Sequence, residues 1–162
     1  MLFRSQLDRP GPWHLRLPHF KMEFTPSVGA EIQSEFFVAL HDAPAALECL
    51  EKLAPEINPL LFITEVRAVK SDQNWMAPTY NQDVVAFHFT WKQEDAIHGL
   101  IRKIESELRQ FNYRPHFGKV FYAKFEYLSK VYPKLSNFQE LAKKHDPKKK
   151  FVNHFLQEKL GL

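Results

Sequence analysis

The chain is poor in the residues that announce most kinds of chemistry. It has a single cysteine, Cys49, so no internal disulfide forms and a zinc site built from cysteines is excluded. Its apolar helical surroundings favour a buried structural thiol over a nucleophile. The five glycines lie far apart. Neither a dinucleotide-binding nor a P-loop glycine pattern occurs, and there is no G-x-S-x-G elbow. The eight histidines form neither H-x-x-x-H nor H-E-x-x-H, so no metal site is expected. No apolar run approaches the roughly 18 residues of a membrane span. The opening M-L-F-R-S-Q-L-D-R-P lacks the apolar core of a signal peptide, which makes the cytoplasm the default expectation. A formal net charge of +3 is too small to argue for nucleic acid. The late lysines, Lys143, Lys144, Lys148, Lys149 and Lys150, read as a solvated helix end and turn.

What the sequence has in surplus is phenylalanine, fifteen in 162 residues. That suits a well-filled core, an apolar surface for a partner, or both. The length is enough for one domain. Two stretches, Leu60 to Lys70 and Asp83 to Lys92, are rich in β-branched and aromatic residues and read as strands. Side chains alternate across a strand. Ile63, Glu65, Arg67 and Val69 therefore share one face, and Val84, Ala86, His88 and Thr90 share another. If the two strands pair, Glu65, Arg67, His88 and Thr90 form one polar patch on an apolar sheet. Charges inside so apolar a strand are costly unless partnered. Two readings stand: a buried ion pair with satisfied neighbours, or a pocket for a polyhydroxylated ligand, whose vicinal hydroxyls need this mixture of donors and acceptors.

Taken in order, residues 1–20 read as an extended arm, with Trp13–Leu17 as a short strand. Phe20–Phe24 is a second strand candidate, closed by a turn over Thr25–Gly29. Glu31–Leu40 reads as a strand with Ile32, Ser34, Phe36 and Val38 on one face. Asp42 is the expected N-cap of a helix carrying Ala43, Ala46, Leu47, Leu50 and Leu53, with Pro44 in its first turn. Pro55 and Pro59 should end it. Ser71–Gln82 reads as a polar loop. Gln93–Gln110 has the clearest helical period, with Ile97, Leu100, Ile101, Ile104 and Leu108 as its stripe. Phe111–Val120 is a loop in which Gly118 lets the backbone come close to a ligand beside His116 and Lys119. Helices are expected over Phe121–Val131, Asn137–His145 and Phe151–Leu160, with Asp146-Pro147 as a break. The fold class this gives is α+β: an antiparallel sheet with helices packed on one face, followed by a short helical C-terminal segment.

Several stretches then carry a family resemblance. They are D-R-P-G-P-W-H-L-R-L-P-H-F-K at 8–21, F-T-P-S-V-G-A-E-I-Q-S-E-F-F-V at 24–38, T-E-V-R at 64–67, A-F-H-F-T-W-K at 86–92, R-P-H-F-G-K at 114–119 and H-D-P-K-K-K-F-V-N-H-F-L at 145–156. In this order they resemble the C-terminal part of the FAD-dependent sugar-alcohol and aldonolactone oxidases, a family that includes the alditol (xylitol) and D-arabinono-1,4-lactone oxidases, within the vanillyl-alcohol-oxidase group. Phe117 stands where that family usually has tryptophan.

The resemblance implies oxidation of the terminal CH–OH of a polyol, hydride transfer to FAD, and reoxidation by dioxygen to give hydrogen peroxide. It implies that Arg67, Lys119 and His88 act catalytically, and that Glu65, Arg67, Thr90 and Lys119 hold substrate. It assigns His116 to the cofactor. It divides the chain into the arm at 1–20, a substrate-binding cap at 21–113 and a segment at 114–162 that packs on the flavin domain. No stretch here corresponds to the family's N-terminal FAD-binding domain. The implied state is a chain that is inactive alone, binds no FAD tightly, and works with a flavin-domain polypeptide in trans. A non-catalytic remnant or repurposed binding domain is the alternative, and a homo-oligomer is expected.

Overall fold

A computed structural model of the chain describes residues 2–4, 10–12 and 31–162. By its internal contacts it forms two units, 1–31 and 32–162. In the first, β1 (Leu2–Arg4) pairs antiparallel with β2 (Pro10–Pro12), Phe3 lying opposite Gly11. The expected arm is thus in part a small two-stranded ribbon. Proline is tolerated in it because a two-stranded ribbon has outward-facing edges that need no ladder donor. The strands expected at Trp13–Leu17 and Phe20–Phe24, and the turn between Thr25 and Gly29, lie outside the described residues.

The second unit is built on a four-stranded antiparallel sheet in the order β4-β5-β3-β6, made of β3 (Glu31–Ala39), β4 (Leu61–Val69), β5 (Val84–Lys92) and β6 (Arg114–Pro115). The long strands fall where β-branched and aromatic residues concentrate. The short β6 pairs Pro115 with Phe36 and Arg114 with Phe37. Two residues, one of them a proline, carry no period, so nothing in the sequence marks β6 as a strand.

Helices cover one face of this sheet, as expected for the α+β class. They are α1 (Ala43–Lys52), α2 (Ala54–Leu60), α3 (Ala96–Leu108), α4 (Phe125–Val131), α5 (Leu135–His145) and α6 (His154–Leu160). The stripe Ile97, Leu100, Ile101, Ile104 and Leu108 of α3 is buried against Phe36 and Val38 of β3 and Val85, Phe87, Phe89 and Trp91 of β5 in one core. Each such side chain contributes about 1.5–3 kcal/mol of transfer free energy. Ser34, on the same face, accepts from Trp91 Nε1 at 2.9 Å, which lets an indole N–H sit in that core.

Two local expectations are refined. Asp42 holds the N-cap position of α1 with Pro44 in the first turn, as expected, but in helical conformation at the end of a 3-10 turn over Leu40–Asp42, and its side chain makes no capping hydrogen bond. α1 ends at Lys52, ahead of Pro55, but the prolines are not followed directly by the strand. A second helix, α2, carries both. Pro55 stands in its first turn, where no amide donor is needed, and Pro59 lies near its end.

Candidate functional site

The opposite face of the sheet carries the polar residues. Register places Ile63 opposite Thr90, Glu65 opposite His88, Arg67 opposite Ala86 and Val69 opposite Val84. The patch expected from alternation is therefore assembled on one face of β4 and β5. Phe37, Val84 and Ala86 form a small buried apolar group on that face.

The exposed and buried charges of the patch are not where strand alternation alone would put them. Glu65 and Arg67 are not a buried ion pair: their side chains are 46% and 42% exposed, because β4 is the outer strand. The buried charge of this patch is Glu35, 5% exposed, on β3, which β5 separates from β4. One of its carboxylate oxygens accepts from Arg67 Nη1 at 2.8 Å and the other from Lys119 Nζ at 2.5 Å. Arg67 Nη2 also donates to Glu65. One carboxylate thus joins two cations that come from different elements. A signal for Glu35 was present: the face of β3 opposite Ile32, Ser34, Phe36 and Val38 carries Glu31, Gln33 and Glu35, too acidic for a second core face.

Burial alone would raise the Glu35 carboxyl. Lys119 and Arg67, with His88, outweigh it and hold the group below the usual carboxylate range. His88 is buried in β5, and burial, reinforced by Lys119 and Arg67 against the opposing pull of Glu35 and Glu65, lowers its pKa from the ordinary histidine value. It is a neutral imidazole at pH 7. Its Nε2 faces Gln33 Oε1 at 3.4 Å. Its Nδ1 is buried, lies 3.9 Å from Glu65 Oε2 and has no hydrogen-bond partner among the described residues. An unpaired buried ring nitrogen is costly and marks a place where a donor or acceptor is missing. Thr90 is buried one pleat further along the same face.

Lys119 reaches the sheet from the loop after β6. Backbone bonds pin that loop to β3: His116 N–H to Glu35 O at 3.0 Å, and Val120 N–H to Gln33 O at 2.9 Å. His116 stacks on Phe37, with ring centroids 6.3 Å apart. Its Nδ1 accepts the Gly118 N–H at 3.1 Å. Burial first, then Lys119, lowers the His116 pKa, so the ring is neutral and carries its proton on Nε2 as a single donor. A methyl group at Gly118 would meet the His116 ring at 3.2 Å, which explains a glycine there by closeness of packing.

Arg114 of the same R-P-H-F-G-K stretch does not enter the patch. It is buried, and its guanidinium is taken up by the carbonyls of Val131, Pro78 and Tyr80, to which it donates. Among the described residues no group of three or more His, Cys, Asp or Glu is arranged to hold a metal ion, and no helix is long and apolar enough to cross a membrane.

Comparison with known proteins adds to this geometry. Residues 28–159 match the family model described as D-arabinono-1,4-lactone oxidase. The chain is 44% identical over 157 residues to an alditol oxidase of a Streptomyces species, covering 96% of this chain and 38% of that protein. It is 28% identical over 105 residues to an L-gulono-1,4-lactone dehydrogenase of Mycobacterium tuberculosis, 64% of this chain and 24% of the relative. It is 26% identical over 132 residues to an L-gulonolactone oxidase of Scyliorhinus torazame, 77% of this chain and 30% of the relative. The chain therefore spans well under half the length of these relatives.

Proposed function

From the premise that the chain belongs to the D-arabinono-1,4-lactone oxidase family, we propose that it supplies the substrate-binding wall of an oxidase acting on the CH–OH of a polyol such as xylitol. The observation that carries this reading is the pair Arg67 and Lys119, held together on Glu35 beside the neutral, half-satisfied His88. A primary or secondary alcohol becomes easier to oxidise as its oxygen gains negative charge. Two fixed cations stabilise that charge where it develops. Each charge-assisted hydrogen bond to a hydroxyl contributes about 1.5–3 kcal/mol.

The roles follow from the donor set. Arg67 and Lys119 hold the reacting hydroxyl. The hydroxyl proton passes to Nδ1 of His88, whose lone pair is available because the ring is neutral. Glu65, exposed on the outer strand, and Thr90 take neighbouring hydroxyls of the same substrate, Glu65 accepting and Thr90 doing either.

The residues fit one edge of a flavin better than the whole cofactor. His116 presents a single Nε2–H donor on a ring fixed by Phe37 and Gly118, suited to a ring carbonyl or nitrogen, and is the residue of this chain that would hold it. The diphosphate and adenine find no glycine-rich cradle in this sequence. FAD, when bound, supplies the hydride acceptor and the means of passing electrons to dioxygen with release of hydrogen peroxide. A flavin-domain polypeptide in trans, or the same domain in cis, would complete the site.

The test is peroxide production from xylitol by the flavin-loaded protein that carries this chain, with Arg67→Ala beside it. Loss of one fixed charge-stabilising donor is expected to lower turnover by about a hundredfold or more. Unchanged turnover in Arg67→Ala refutes the role given to Arg67. No peroxide from any polyol or aldonolactone in the unsubstituted protein refutes the function.

A further inference from the structure

We infer that Glu35 is the positioning residue of this site: through its two carboxylate oxygens it sets the spacing and aim of Arg67 and Lys119. The inference rests on the function proposed above for those two cations, and it concerns a residue to which neither composition nor family resemblance assigned a role.

Three observations converge on it. Glu35 stands on a central strand, flanked by β5 and β6, and is buried, so its own orientation is imposed by packing. Its two oxygens are divided between cations 32 and 84 residues away in the sequence, one on an outer strand and one on a loop. Its main chain holds the same loop, accepting the His116 N–H while the side chain takes Lys119 three residues on. The loop is thereby fixed at both points by one residue.

Without Glu35 the arrangement does not hold itself. Two cations side by side repel, and each would turn to solvent or, for Arg67, wholly to Glu65. Arg67 is 42% exposed on a bare strand, so packing alone does not fix its guanidinium. Glu35 uses both oxygens on its two partners. Arg67 and Lys119 keep further N–H donors for a hydroxyl. Glu35 is thus not itself a catalytic residue. It acts through the two cations, and displacement of such groups by about 1 Å costs on the order of a hundredfold in rate.

The experiment uses Glu35→Gln and Glu35→Asp in the full chain with two readouts. The first is nitrogen NMR of the Lys119 ammonium and the Arg67 guanidinium. Slow ammonium proton exchange and hindered guanidinium rotation are expected in the unsubstituted protein, lost in Glu35→Gln and partly kept in Glu35→Asp. The second is xylitol oxidation by the flavin-loaded protein, where Glu35→Gln should lower kcat by about a hundredfold with a smaller change in KM, and Glu35→Asp should recover part of it.

A lowered melting temperature with unchanged kcat and unchanged NMR signals would show a structural residue only and overturn the inference. If Glu35→Gln does not fold, Glu35→Asp decides by the same signals. If the unsubstituted protein oxidises no polyol, the proposed function falls, and the NMR signals alone then decide whether Glu35 positions the pair.

Discussion

Arg67, Lys119 and Glu35 together show how much one buried carboxylate can organise. Glu35 is ionised in the fold because the two cations outweigh the cost of burial. The sign of its effect on stability follows. A carboxyl whose folded pKa is depressed contributes stability above its unfolded value of about 4.3 and loses it as pH falls through the folded value. Glu35→Gln should therefore be less stable than the unsubstituted chain at neutral pH. The gap should close as pH falls below about 4.3, as read by urea denaturation at a series of pH values. A gap that stays constant across that range would show that ionisation of Glu35 plays no part. At this scale the sequence was half legible. Glu65, Arg67, His88 and Thr90 could be placed on one face from alternation, since the period of a strand is rigid. Glu35 could not be paired with them, because its partners are distant in sequence and meet only when β3, β4 and the loop after β6 come together.

Among the elements, the loop from 111 to 120 and the strand β4 behave in opposite ways. The loop is tied down at every turn. Arg114 alone holds three carbonyls from two places: Val131 at the end of α4, and Pro78 and Tyr80 in the loop between β4 and β5. A buried guanidinium without a carboxylate partner is tolerable here because carbonyl oxygens replace its water, and the Tyr132 ring adds a face at 5.6 Å. Arg114→Ala should destabilise the chain by about 3 kcal/mol or more, since each hydrogen bond from a charged group contributes about 1.5–3 kcal/mol. Arg114→Lys should not rescue it, because an ammonium lacks the planar fork. A shift below about 1 kcal/mol in denaturant unfolding would refute this account. The long strands and α3 were legible as elements, since their periods run over many residues. The two-residue β6 and the proline-bearing α2 were not, because each exists by pairing or packing and not by any pattern of its own.

For the whole molecule the telling feature is β4. Among the described residues it is the outer strand of the sheet, and most of its side chains on both faces are exposed. Val66, opposite Phe87 on the helix side, and Phe62, in the irregularity between Leu61 and Ile63, remain 59% and 60% exposed. Ile63 and Val69 are exposed on the other face. A nine-residue edge strand with apolar residues on both faces is a template for pairing, guarded by Glu65, Arg67 and the irregularity between Leu61 and Ile63. Self-association of the isolated chain is the expected outcome, measured by sedimentation. A clean monomer over a wide concentration range would count against it. Substituting Val66 by Lys should weaken any association without touching the polar patch, because Val66 lies on the opposite face from Glu65 and Arg67.

The α+β class, the long strands, the buried stripe of α3 and the face on which the polar residues gather are all legible in the chain before it folds. These follow from local period, and side-chain alternation or helical repeat is set by bond geometry within a few residues. That β4 lies at the edge of the described sheet, that Glu65 and Arg67 are therefore exposed, and that the buried charge of the patch is Glu35 emerge on folding. Strand order and cross-strand ion pairs depend on contacts between residues far apart in the chain, and no local repeat encodes them.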